Sequence, residues 1–116
     1  MLNRAAVILK FKAPAIRWVN DADPSPDSRP LSEADANNER TVYLVSDEDA
    51  DGDDALHRWL QANFETLFEA ELESWYTDPS LWPQERTWKL FCEWFDVECH
   101  TVLIDTVGDE IYDDEL

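Results

Sequence analysis

The chain predicts an α+β fold in the order β-α-β-α-α-β, a small three-stranded sheet with helices packed mainly on one face. Three observations carry that expectation. Runs rich in β-branched and apolar residues occupy 5–12, 40–47 and 96–107. Two stretches, 53–76 and 83–95, repeat apolar residues at threes and fours, the pattern of a helix with one buried side. Three short strands cannot hide an apolar face unaided, and two amphipathic helices supply the cover they need.

"AAVILKFK" (5–12) sets Lys10 and Lys12 in alternation with Leu9 and Phe11, so it reads as a strand with one wetter face, ended by Pro14. "PAIRWVNDAD" (14–23) makes a short helix with Pro14 in its first turn and Ile16 with Val19 or Trp18 turned inward. Residues 23–39 hold three prolines in a mostly polar stretch and read as an exposed loop, with one helical turn at 31–36. "RTVYLVSD" (40–47) is the second strand.

Residues 53–76 show the strongest periodicity. Leu56, Trp59, Leu60, Phe64, Leu67, Phe68, Leu72 and Trp75 form one stripe, and Glu65, Glu69 and Glu73 mark the opposite side. "YTDPSLWPQ" (76–84) turns the chain with two prolines. The helix expected over 83–95 starts with Pro83 near N1 and Glu85 in its first turn. It presents Trp88, Phe91, Cys92 and Phe95 on one side, widened by Leu90 and Trp94. "DVECHTVLIDTV" (96–107) is the third strand. Residues 1–108 thus make a single α+β domain, and 109–116 is an acidic tail expected to fray.

The 116 residues are enough for one hydrophobic core, and 44% apolar with 12% aromatic content is too hydrophobic for a disordered acidic segment. Only two glycines occur, both isolated, so no glycine-rich phosphate loop is present. Two cysteines, Cys92 and Cys99, are too few for a disulfide framework and read as reduced core residues. Lys10 and Lys12 interrupt the opening apolar stretch, which argues against a secretory signal, and without one the closing "DDEL" is no retention address. No apolar run reaches membrane-spanning length, so the expected setting is a cytoplasm.

Charge is the strongest compositional signal. There are 27 acids against nine bases, a formal −18. Arg4, Lys10, Lys12 and Arg17 give residues 1–20 a charge of +4, leaving −22 on the other 96. Such a field repels nucleic acids and anionic membranes and attracts basic proteins and cations.

"SDEDADGDDALHR" (46–58) matches the first half of a calcium-loop pattern through Asp47, Asp49, Asp51 and Gly52. The position that must supply a bidentate carboxylate is Arg58, the preceding element is a strand, and no second loop exists to pair with. The stretch therefore reads as an acidic cap on the long helix, with carboxylates near the positive end of its dipole. Glu98 and His100 share one face of the third strand, and Cys99 points to the other, so the trio has no zinc-like spacing.

Residues 73–95 concentrate Trp75, Tyr76, Trp82, Trp88 and Trp94. Trp88 and Trp94 are six apart, about 120° out of phase on a helix, so one face cannot bury both. Two readings stand: these rings fill a thin core, or some remain at the surface as anchors for a partner, rimmed by Asp78, Glu85 and Glu93.

"RAAVILKFKAPAIRWVN", "TVYLVSD" and above all "SWYTDPSLWP" with "TWKLFCEWFDVE" resemble a group of short acidic bacterial proteins. The resemblance implies a bacterial cytoplasm and brings no activity and no site residue with it.

Two function classes follow. The first is a non-enzymatic interaction module for a basic protein partner, in one version an inhibitor or nucleic-acid mimic whose carboxylates stand in for phosphates. The second is a small metal-binding or metal-dependent enzyme in which Glu98, His100 and the aspartates act as ligands or carry protons. No cofactor is implied, and the composition leaves oligomeric state open.

Overall fold

Alternation decides how the first strand sits. In β1 (Arg4–Phe11) the side chains of Ala5, Val7, Leu9 and Phe11 are buried on one face, while Arg4, Ile8 and Lys10 turn to the other. The computed structural model describes residues 1–22 and 30–113. In it β1 lies at the centre of a sheet of order β2-β1-β3, antiparallel to both β2 (Val42–Ser46) and β3 (Phe95–His100). Val7 stands opposite Tyr43 and Cys99, and Phe11 opposite Phe95, so these residues share the inner face. The strand with the most continuous apolar pattern takes the central place, where it can be covered and paired on both sides.

Four helices accompany the sheet: α1 (Ala13–Ala22), α2 (Glu33–Ala36), α3 (Asp53–Trp75) and α4 (Trp88–Trp94). The α+β class expected from the pattern is the class observed. Helix α3 lays Leu60, Leu67, Phe68 and Leu72 into the core. Phe68 is wholly buried, edge-on to Phe95 at 5.4 Å and to Phe91 at 6.0 Å, an arrangement in which ring edges meet ring faces. Helix α1 joins the same layer through Trp18, whose ring lies 5.7 Å from that of Trp94. The outer face of the sheet stays open, and Val42 and Leu44 are each about half exposed there.

The ladder between β1 and β2 ends at the pair Ile8–Val42, three residues short of the end of β1. Asn37 takes over there. Its Oδ1 accepts from the Phe11 amide at 2.8 Å and its Nδ2 donates to the Phe11 carbonyl at 3.2 Å. One side-chain amide thus satisfies both backbone groups that a longer β2 would have paired. On the other side, the Lys12 amide donates to the Trp94 carbonyl at 2.8 Å.

Several boundaries differ from expectation for local reasons. Helix α4 begins at Trp88, not near Pro83, because the Thr87 side chain caps it by accepting from the Leu90 amide at 3.1 Å. Upstream, Gln84 Nε2 takes the Trp82 carbonyl and an Arg86 guanidinium nitrogen takes that of Pro83, so the carbonyls a helix would use are already engaged. Strand β3 stops at His100, opposite Ala6, and residues 101–107 form no ladder beyond one bond from the Leu2 amide to the Leu103 carbonyl. Cys92 is exposed and Cys99 half-buried, both as free thiols. The core place expected for Cys92 is filled instead by Phe91 and Trp94, which stand three apart on the buried side of α4. The loop expected over 23–39 lies outside the described residues from 23 to 29, as do the last three residues of the expected tail. Among the described residues no helix is long and apolar enough to cross a membrane.

Replacing Asn37 by Ala leaves the half-buried Phe11 amide without its partner, and the expected loss is about 1–3 kcal/mol. Asn38→Ala, on the exposed neighbour, should stay within about 0.5 kcal/mol of the parent. Urea unfolding of the two variants measures the difference directly.

Candidate functional site

The helical period carries one carboxylate to the wrong side of α3. Glu71 follows Leu67 by four residues and Phe68 by three, and precedes Trp75 by four, so it stands on the apolar stripe. It is 6% exposed, the one charged side chain among the buried described residues. Its partner comes from the sheet: Tyr43, on the inner face of β2, donates its hydroxyl to Glu71 Oε1 at 3.1 Å. Burial pushes the Glu71 carboxyl up to about 7, and the Tyr43 hydrogen bond offsets only part of that rise. The Tyr43 phenol is driven well above its ordinary range, chiefly by burial and then by the charge and hydrogen bond of Glu71. No described residue bonds the second oxygen, Oε2.

Around this carboxylate lies a groove of about 550 Å³. Strand β1 contributes Leu9 and Phe11, α2 contributes Asp35 and Ala36, the segment after it Asn38, Glu39, Arg40 and Thr41, and α3 Glu71, Ser74 and Trp75. The groove occupies the place where β2 stops short and Asn37 bonds to the backbone of β1. Its charge is negative. Arg40 is the one cation in the lining, and it is engaged by Glu98, with one guanidinium nitrogen 3.3 Å from Oε1. Trp75 forms the rim at 36% exposure, its ring 6.2 Å from that of Phe11. A buried carboxyl beside an indole, in a groove whose other lining is largely polar, can accept a proton or hold a cation.

The structure distributes the five aromatic candidates rather than gathering them. Trp94 is 7% exposed and belongs to the core, so it has no surface to offer a partner. Tyr76 is tied by its hydroxyl to the Val19 carbonyl, and Trp82 donates its indole N–H to the Tyr76 carbonyl at 2.8 Å. Trp88 stacks on Phe91 at 5.6 Å and meets His57 edge-on at 5.4 Å. Trp75 is the most exposed of the five and alone lines the groove of Glu71.

The acidic stretch before α3 forms a turn in which the Ser46 hydroxyl donates to Asp49 Oδ2 at 2.8 Å and accepts from the Asp49 amide at 3.2 Å. The helix N-cap is Gly52, with φ of 90°, a conformation that favours glycine, and no side chain caps the helix. The carboxylates therefore do not cap α3 by hydrogen bonding, as the sequence led us to expect; Asp53 and Asp54 act on its dipole from the first turn. Among the described residues no group of three or more His, Cys, Asp or Glu is placed to hold a metal ion. Glu98 and His100 do share a face, with His100 Nε2 3.1 Å from Glu98 Oε2. The hydrogen bond from His100, followed by that from Arg40, holds the Glu98 carboxyl below its usual range. This pair lies on the outer face, opposite to the side where Glu71 is buried.

The sequence pattern set Glu65, Glu69 and Glu73 on the solvated face and left Glu71 unassigned, although its spacing from Leu67, Phe68 and Trp75 marks it as inward. Its partner, Tyr43, alternates with the exposed Val42 and Leu44, which places it on the inner face of β2. Comparison with protein-family models, curated proteins and solved structures finds no match to this chain.

Because burial raises the Glu71 carboxyl from 4.5 to about 7, the stability its neutral form permits is fully present below pH 4.5 and is lost as pH rises through 7. The loss amounts to roughly 3 kcal/mol by linkage. Glu71→Gln keeps an acceptor for Tyr43 and removes the titration. The variant and the parent should melt together near pH 4.5, and the variant should gain by about 10 °C at pH 8. Calorimetric melting across that range checks both the sign and the window.

Proposed function

We propose that this protein is a non-enzymatic interaction module that holds a basic protein partner. The observation that carries the reading is how few of its carboxylates are neutralised from within. Among the described residues the lysines and arginines form three ion pairs with carboxylates: Lys12–Asp96 at 3.9 Å, Arg40–Glu98 at 3.3 Å and Arg86–Glu69 at 2.8 Å. Set against 27 acids, these leave a strongly anionic surface. Exposed pairs of this kind contribute little to stability, so the excess of acid is not explained by internal pairing. Its physical consequence is long-range attraction for cationic macromolecules and repulsion of nucleic acid. Inhibition of a nucleic-acid-binding protein by carboxylates in the place of phosphates is one form such a module takes.

Tagged protein incubated with a cell extract at about 50 mM salt should retain a basic partner and release it by about 500 mM, because the Debye length shrinks from roughly 14 Å to 4 Å. Recovery of no partner at low salt, or of one whose binding ignores salt, contradicts the reading.

A further inference from the structure

Glu71 and Trp75 stand one turn apart on α3, so their side chains rise from the same side of the helix into the same groove. Oε1 of Glu71 is held by Tyr43, which fixes the carboxyl group, and Oε2 is without a protein partner among the described residues. The indole of Trp75 forms the outer wall and Phe11 stands behind it. Resting on the basic-partner reading above, we propose that this groove receives the guanidinium of an arginine side chain from the partner, stacked on Trp75 and ion-paired with Oε2 of Glu71.

The chemistry of the lining selects that group. A guanidinium is planar, stacks on an indole and presents its N–H donors in a fork that matches a carboxylate, which an ammonium does not. An ion pair to the Glu71 carboxylate, 6% exposed, is screened less by solvent than one to the exposed acids. The charged and titratable groups facing the site are Tyr43 from β2, Asp35 from α2, and Glu39 with Arg40 from the segment that follows. Strand β1 brings only the apolar Leu9 and Phe11. Arg40 lines the groove but pairs with Glu98 rather than with Glu71, and the remaining acids add to the attraction. A neutral Glu71 must give up its proton to pair with the incoming cation, so binding near pH 7 is accompanied by proton release.

The test is calorimetric titration of the full chain with a short blocked glycine peptide carrying two arginines, at low salt and neutral pH, in two buffers of different ionisation enthalpy. The parent should bind with release of up to about half a proton per site, the fraction carried by a carboxyl titrating near 7. Glu71→Gln, a variant expected to fold at least as well as the parent, should bind about ten-fold more weakly and release none. Trp75→Ala should also weaken binding about ten-fold. Glu48→Gln, which removes one exposed carboxylate at the far end of α3, should change affinity by less than about two-fold. The lysine counterpart of the peptide should bind the parent several-fold more weakly. Equal weakening by Glu71→Gln and Glu48→Gln, with no proton release, overturns the groove while leaving attraction to basic partners intact. Equal binding of the lysine peptide overturns the choice of arginine, and failure of the parent to bind the arginine peptide overturns the site itself.

Discussion

The fold is built to cover one face of β1, and the helix that does so has a carboxylate where it should have a hydrocarbon. Three strands present a narrow apolar surface, and α3 with the aromatic layer of Phe68, Phe91 and Phe95 closes it. At the end where β2 runs out, the cover is incomplete. There Asn37 satisfies the backbone of β1, the groove opens, and Glu71 in its lining is held by the Tyr43 hydroxyl. Burial of an unneutralised carboxylate is costly, and the local response is protonation near neutrality, with one hydrogen bond from a phenol. A leucine in that place would close the groove with apolar surface. The glutamate instead leaves the groove open beside a carboxyl that burial raises to about 7.

Electrostatics act here on two length scales. The exposed acids set a broad negative field that speeds encounter with cations and weakens as salt rises. Glu71 belongs to the other scale: because it is buried, its interactions are screened far less and are decided by contact geometry. On the proposed reading the first scale attracts basic proteins, whereas the second discriminates among side chains. The placement of Trp75 beside Glu71 joins the two, since it is the exposed aromatic at the mouth of the buried site.

Much of this fold is legible in the chain. The alternation of Lys10 and Lys12 with Leu9 and Phe11, and the stripe from Leu56 to Trp75, are strong local patterns, and the sheet and α3 follow them. Less legible were features set by side chains reaching across the fold. Thr87 starts α4 because Gln84 and Arg86 occupy the carbonyls before it, and nothing local to Pro83 announces that. β3 ends where its register with β1 ends, although the apolar run continues to Val107. Glu71 carried a readable signal in its phase, four after Leu67 and four before Trp75, which separates it from Glu65, Glu69 and Glu73. The pairing with Tyr43 depends on the crossing of α3 over β2, which no spacing in the sequence encodes.

The most direct test is to follow the side-chain carboxyl of Glu71 by carbon NMR through a pH titration, first free and then saturated with the arginine peptide. The account predicts a midpoint near 7 in the free protein, falling by at least about one unit when the groove is filled. A free carboxyl that titrates in the ordinary range near 4.5, or a midpoint that the peptide leaves unmoved, contradicts it.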